Sequence, residues 1–373
     1  MLIINNDEVK SLLTMSECIR IQEESFLGLE DGRSAHRPRI DMYTPCERED
    51  GYWRWGTMEG STSVPGPYFA IRMKSDVITW SEDQLSGLER EDKYCVEPGT
   101  YCGLIMVFST RNGEPLAFIN DGQLQHMRVG GGAGLGAKYL ARKDATRVGI
   151  IGSGGMARTY LDAFCQVRSI QHVKVYSPNP HNRQTYAEEM SALHGITVTA
   201  VDSPELVVED VDILATCTSS MVPTVKQEWL KPGMHLVNLG PFELTEDIFE
   251  KADVVIRQGI AGASIAKADA GPRVKSGVGG SPLAYIAGTE EEMKRLPEAQ
   301  HQTLFRRDFP DFVDLAYSRA EGRTRDEQIT VYINGGNQGL QFAAVSGLVY
   351  EAALANQLGN KIPTEWFLQD IRD

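Results

Sequence analysis

The stretch RVGIIGSGGMA, residues 147–157, decides the reading of the fold. An apolar run breaks into glycines and then into small residues. Taken as strand, turn and helix, it uses Gly152 for the tight turn. Gly154 lets backbone approach a pyrophosphate with no Cβ in the way, and Ala157 lets the helix pack close to the strand. The helix opening at Gly155 then offers unpaired N–H groups and a positive dipole end to the phosphates, with Ser153 and Met156 in the same turn. The motif is weak in isolation and gains force from its context. Here it heads an alternation: strands at RVGIIG, HVKVYS, ITVTAV, VDILATC, MHLVNLG and ADVVIRQ, with helices between most of them, as over 155–167 and 180–194. Strands separated by helices of about 10–15 residues imply a parallel sheet covered on both faces. The expected class is α/β, with a doubly wound Rossmann sheet that binds a dinucleotide.

The strand ends of such a sheet locate the rest of the cofactor site. The second strand ends VKVYSPNPHNR. An acid here would grip the ribose hydroxyls of NAD and repel a 2′-phosphate. The chain has Ser177, Asn179 and Arg183 instead, which points to NADP(H) rather than NAD(H). ATCTSS, residues 215–220, follows the fourth strand and brings Cys217, Thr218 and Ser219 toward the nicotinamide ribose. VNLGP brings Asn238, Leu239 and Gly240 to the same edge.

A length of 373 residues suits two domains at about 100–200 residues each. A hydrophobic content of 42% and a charged content of 24% are those of an ordinary globular chain. The formal net charge of −14 opposes binding to nucleic acid or to an anionic membrane. No apolar stretch approaches the length of a membrane span. The opening MLIINNDEVK has neither a basic n-region nor a long apolar h-region, so no export signal is expected and the chain reads as cytoplasmic. The 6 cysteines are scattered without a CxxC pair, which reads as reduced thiols and not as a disulfide framework or a metal site.

Ahead of the nucleotide domain, LTMSEC predicts a helix capped by Thr14 with Glu17 three residues on, Leu13 and Cys18 stapling it, and an end near Gly32. YWRWGTMEG, PYFAIRMKSDV and TYCGLIMVFS read as strands, and Asn112-Gly113 signals a hairpin. Gln125 to Arg142 returns to helix and is rich in small residues. Beyond Gly259 a long stretch shows no clean period. QITVYING is a last strand, and the apolar helix after it is expected to end with Gly359 at C′.

Basic residues gather in this first half. Arg37 and Arg39 lie in HRPRIDM. Arg72 and Lys74 lie in AIRMKSD and share one face of a strand by two-residue alternation. Arg128 opens the small-residue helix. In an acidic chain, arginines placed just before a cofactor domain point to a carboxylate site, which a planar guanidinium grips bidentately. Glu59, in GTMEG, is a further candidate proton carrier.

MRVGGGAGLGAKYLAR, VGIIGSGGMARTYLDAF, DILATCTSSMVPTV and GRTRDEQITVY resemble, in order and spacing across most of the chain, the ornithine cyclodeaminase and mu-crystallin family. The resemblance implies an α+β substrate and dimerisation domain made from both chain ends, 1–126 and 328–373. It wraps a central Rossmann domain, 127–327, here with a long insertion at about 259–327. It also implies a homodimer that binds substrate between the domains. The family's carboxylate-gripping arginine falls on Arg128 and an earlier one on Arg39. The family lysine falls on Arg72 or on Lys74. The family's Lys-Ser-x-Gly becomes Ile333-Asn334-Gly335-Gly336, which puts Asn334 beside the cofactor. The cyclodeaminase aspartate after the fifth strand has no equivalent in NLGPFELTED. The expected activity is hydride transfer between NAD(P)H and the C=N carbon of a small carboxylate-bearing imine, or the reverse oxidation of an amino acid. Arg39 and Arg128 anchor the carboxylate, and Arg72 or Lys74 polarises or protonates the substrate. A lyase that recycles bound NAD and a non-catalytic nucleotide binder are the alternatives.

Overall fold

The computed structural model describes residues 1–82, 87, 89–262, 271, 273–297 and 308–371. Parts of the long stretch after Gly259 therefore lie outside the described residues. The chain begins with β1 (Leu2–Ile4), α1 (Asn6–Leu12) and α2 (Met15–Leu27). An antiparallel meander follows: β2 (Ser34–Pro45), β3 (Gly51–Thr62), β4 (Tyr68–Glu82), β5 (Glu89–Cys95), β6 (Glu97–Pro98), β7 (Cys102–Ser109) and β8 (Pro115–Asn120). The helix α3 (Gly122–Leu140) leads into β9 (Arg147–Ile151), α4 (Gly155–Val167), β10 (His172–Tyr176), α5 (Pro180–His194), β11 (Thr197–Ala200), α6 (Pro204–Val208), β12 (Ile213–Thr216), β13 (His235–Asn238), α7 (Glu246–Lys251) and β14 (Val254–Arg257). The remainder is β15 (Val274–Val278), β16 (Ser281–Ile286), α8 (Glu290–Met293), α9 (Phe312–Ala316), β17 (Thr330–Ile333), α10 (Gln338–Ala355) and β18 (Asn360–Lys361). Among the described residues no helix is long and apolar enough to cross a membrane.

Two sheets result. One runs β15-β16-β2-β3-β4-β7-β8-β1-β18, with β5 beside the far half of β4. The other is wholly parallel in the order β11-β10-β9-β12-β13-β17-β14. Its first five positions are the doubly wound order with the switch point between β9 and β12, where ligands bind at the carboxyl ends. The boundaries expected at 259 and 328 do not follow these sheets. The hairpin β15–β16 comes from the expected insertion yet joins the meander sheet, by parallel pairing with β2. The strand β17 opens the expected C-terminal segment yet lies inside the nucleotide sheet, between β13 and β14.

Local signals explain most elements. Thr14 accepts a hydrogen bond from the Glu17 N–H at 3.3 Å, and its hydroxyl donates one to the Glu17 carboxylate at 2.5 Å, so α2 starts where expected. It stops earlier than expected, at the Gly28 cap, and Gly32 lies beyond it. The last helix also stops early. Asn356 caps α10 and Gln357 takes the left-handed conformation at φ 56°, leaving Gly359 to start the turn into β18. The helix α3 tolerates its glycines because neighbours occupy the space of the missing side chains. A Cβ on Gly130 would lie 2.5 Å from the Thr159 carbonyl oxygen, and one on Gly136 would collide with the Tyr332 side chain. This close approach lets α3 serve both cores. Leu124, Met127 and Leu135 pack into the first, and Val129, Ala133, Ala137 and Leu140 into the second.

Candidate active site

A cleft of about 630 Å³ runs between the two sheets. One wall is the turn after β9. Gly152 sits at φ 112°, and a Cβ there would collide with the Cys217 carbonyl. Gly154 caps α4, and a Cβ there would meet no atom within 4 Å. The protein's own packing does not require that position to be bare. Ser153, Gly154, Gly155 and Met156 all border the cleft, and Ala157 is buried behind them against the sheet. This turn fits a dinucleotide pyrophosphate by shape and by the N–H groups it presents.

The other strand ends extend that wall. Cys217, Thr218, Ser219, Leu239 and Gly240 border the cleft. Asn238 does not. It is fully buried beneath, with its Nδ2 donating to the Gly240 carbonyl at 3.1 Å, because it shapes the loop from below. Asn334 borders the cleft and donates to the Val129 carbonyl at 3.0 Å and to Tyr160 Oη at 2.6 Å, tying α3 to α4. A second cleft of about 630 Å³ adjoins the first past Ser177 and is lined by Tyr176, Asn179, Pro204, Lys226 and Trp229. Arg183 borders neither cleft. Its guanidinium donates to the Ser177 carbonyl at 2.9 Å and to Asp202 at 2.5 Å.

One residue that the sequence reading passed over organises both loops. Glu243 is fully buried and accepts five hydrogen bonds: from Thr216 Oγ1 (2.8 Å), Thr218 N and Oγ1 (both 2.7 Å), Leu239 N (2.9 Å) and Gly240 N (2.5 Å). Its flanks, Phe242 and Leu244, are buried too, so an acid inside an apolar triplet was the available signal. Carboxylates in the interior persist only when satisfied in this way.

The opposite wall is basic. Arg72 and Lys74 project from one face of β4 into the cleft, Arg39 joins from β2, and Arg128 joins from α3. Arg72 Nε donates to Asp121 at 2.5 Å. Lys74 Nζ pairs with Asp76 at 2.9 Å, and Arg39 grips Asp41 with two bonds of 3.0 and 2.6 Å. Arg128 is the exception. Its partners are the amide oxygens of Gln125 and Gln341 at 2.8 and 2.9 Å, and its guanidinium lies 4.8 Å over the Phe342 ring. Burial, with Arg72 adding to it, pushes its pKa down to about 9. A guanidinium that is buried without a carboxylate partner is an anion site in waiting. Tyr101 stands between Arg72 and Lys74, its ring 5.6 and 5.8 Å from them, and burial pushes its hydroxyl up to about 12. Tyr101 and His126 also border the cleft and had no motif to announce them.

Glu59 is not part of this wall. It pairs with Arg37 through two bonds of 2.6 Å, because the β2–β3 register sets the two residues opposite each other. The cleft is closed at one end by β5. The Met221 N–H donates to the Glu89 carbonyl at 3.0 Å, linking the meander to the loop after β12.

Known proteins agree with this architecture. An alanine dehydrogenase of Archaeoglobus fulgidus is 27% identical, covering 97% of this chain and 98% of its own. The structure of Thermococcus litoralis Δ1-pyrroline-2-carboxylate reductase in complex with NADH and L-proline superposes with a TM-score of 0.73 at 26% identity, over 97% of this chain and 100% of that one. An archaeal alanine dehydrogenase dimer with bound NAD gives 0.69 at 25% identity, over 97% and 99%. The ornithine cyclodeaminase/mu-crystallin family model matches residues 96–357, the segment that holds α3, the glycine turn and the parallel sheet, and the chain belongs to that family.

Proposed function

We propose that the chain is a nicotinamide-dependent oxidoreductase acting on the C–N bond of a small carboxylate-bearing substrate. It reduces an imine to an amino acid or runs the reverse. The observation that carries this reading is the joint wall of one cleft: a bare phosphate-binding turn on one side, and Arg128, Arg72 and Lys74 on the other. The turn 152–156 and the N-terminus of α4 would hold the pyrophosphate, and the second cleft the adenosine half. The cofactor, when bound, supplies or accepts the hydride. Arg128 takes the substrate carboxylate, since it lacks an anionic partner of its own, and Arg39, held by Asp41, adds positive charge to the same wall. Between Arg72 and Lys74, the lysine is the better proton donor, because an ammonium gives up its proton more readily than a guanidinium. Lys74 Nζ therefore holds the proton for the substrate nitrogen, oriented by Asp76, and Arg72 polarises the substrate. A lyase reading is disfavoured because the acid nearest the β13 loop, Glu243, spends its oxygens on the two loops.

NAD(H) is the preferred form in this proposal, in place of the NADP(H) expected from the sequence. Arg183 spends its fork on Ser177 and Asp202, and the two superposed relatives carry NADH and NAD. The working unit is a homodimer, as in the archaeal relative, and light scattering reads it directly.

The test follows nicotinamide absorbance with NADH or NADPH, using Δ1-pyrroline-2-carboxylate and 2-oxo acids with ammonia or methylamine. Turnover with NADH on one of these is the expected result. Arg128→Ala should raise KM for the carboxylate substrate about 10- to 100-fold, the worth of a charge-assisted pair. An unchanged KM would remove Arg128 from the site. Arg183→Ala should leave KM for NADH within about 3-fold, because its guanidinium is turned onto Ser177 and Asp202 and borders neither cleft. Strict dependence on NADPH would reverse the cofactor assignment.

A further inference from the structure

His126 borders the cleft and is used by nothing described so far. Its ring lies against the Cα of Gly155, the first residue of α4. A Cβ built on Gly155 would sit 2.6 to 3.0 Å from three of the imidazole atoms, both nitrogens included. The imidazole thus stands over the helix N-terminus that the glycine turn leaves open. Among the described residues its side chain makes no hydrogen bond, although the ring is only half-buried. We propose that His126 is a cofactor-binding residue that donates a hydrogen bond to the dinucleotide pyrophosphate and makes cofactor affinity depend on pH. This rests on the nucleotide reading of the cleft.

The surroundings set the sign. Arg128 and Asp121 face the ring from α3 and Arg158 faces it from α4. Burial holds the free imidazole below its usual value; Asp121 opposes it, and the two arginines add to it. A diphosphate would add two negative charges next to the ring and raise that value. Protonation is then favoured in the complex, so affinity rises as pH falls and levels off below the value of the free protein.

Titration calorimetry of the whole chain with NAD+ tests this, and avoids both acid-labile NADH and the 2′-phosphate, which itself titrates near neutrality. Between about pH 8.5 and about pH 6, Kd should tighten about 3- to 10-fold for NAD+ and for ADP-ribose, and stay flat for adenosine, which has no phosphate. His126→Gln keeps a neutral donor and should lose the pH slope. His126→Ala should also bind about 10-fold more weakly at the acid end. As a check that needs no variant, the His126 imidazole signal of the wild-type protein should titrate at higher pH with NAD+ than without. A slope that survives in His126→Gln, or an imidazole that titrates alike with and without NAD+, would overturn the proposal while leaving the nucleotide site intact. Failure of the wild-type protein to bind NAD+ or NADH at all would instead overturn the nucleotide reading, and this inference with it.

Discussion

Gly152 and Gly154 stand two residues apart and answer to different partners. At Gly152 both the backbone conformation and the Cys217 carbonyl exclude a side chain, so Gly152→Ala should destabilise the fold by about 2 kcal/mol or more. At Gly154 the backbone is extended and the space is empty, so Gly154→Ala should leave the melting temperature within about 2 °C while weakening NADH binding at least 10-fold. Thermal melts and binding titrations on the two variants separate the roles, and equal melting losses would mean that neither glycine is reserved for a ligand. The glycine turn was readable because its residue types follow from what backbone and phosphate require. Arg72 and Lys74 were readable because alternation along a strand fixes which side chains share a face. Glu59 and Arg183 misled for one shared reason. Each has a partner about 20 positions away, Arg37 for the one and Asp202 for the other, brought near by strand pairing or by a neighbouring turn. A charged residue read alone does not show whether its charge is already spent. Tyr101 and His126 escaped because nothing in their local pattern says which surface they will face, and Glu243 offered only one local signal, the apolar residues on either side of it.

At the scale of elements, α3 shows what a run of small residues is for. In an exposed helix, alanine in place of glycine adds about 1 kcal/mol of stability. At Gly136 the same change drives a methyl into the buried Tyr332 ring, an overpacking cost of about 1–3 kcal/mol. Gly136→Ala should therefore be net destabilising, and denaturant melts that show a gain would mean that α3 and β17 are not in tight contact. The pairing of β13 with β17 makes a second prediction. His235 lies opposite Thr330 and is fully buried. Thr330 Oγ1 donates to the Leu140 carbonyl, so His235 Nδ1 must donate to Thr330 at 2.9 Å, leaving Nε2 bare in the core. Burial lowers its pKa from 6.5 to about 3. The unfolded chain then binds a proton that the folded chain refuses. Stability is full above the unfolded value and falls as pH drops from about 6.5 toward 3, by on the order of 1 kcal/mol per pH unit. His235→Leu should remove that slope, and denaturant midpoints measured against pH check it. The strands themselves were readable from their apolar runs and flanking turns. Their order was not. Nothing within ITVYI says that β17 inserts between β13 and β14, because a strand's neighbours are chosen by the path of the crossover and not by its own residues.

The whole molecule has two sheets but no clean seam between them. The helix α3 buries one set of side chains in each core, and β5 reaches over the cleft to bond the loop after β12. Pulling the domains apart would expose both faces of α3 together with glycines that cannot hold a solvated helix, since each costs about 1 kcal/mol relative to alanine. Neither core is then stable without the other, despite a length at which independent domains are common. The expected outcome is a single thermal transition. Saturating NADH, held in the proposed site mainly by the parallel sheet, should raise the stability of the entire chain by about 2.7 kcal/mol at 100 times Kd. Two single-tryptophan variants make this measurable, one retaining Trp53 in the meander and one retaining Trp229 beside the nucleoside cleft. Their fluorescence midpoints should coincide without ligand and move together with it. If the Trp229 signal alone shifts, the meander unfolds on its own, and the substrate arginines are mounted on a body that the cofactor does not steady. In that case substrate affinity should be insensitive to bound nucleotide. In a cooperative molecule the two ligands stabilise the same folded unit, and the cofactor should tighten substrate binding by ordering the wall across which the carboxylate sits.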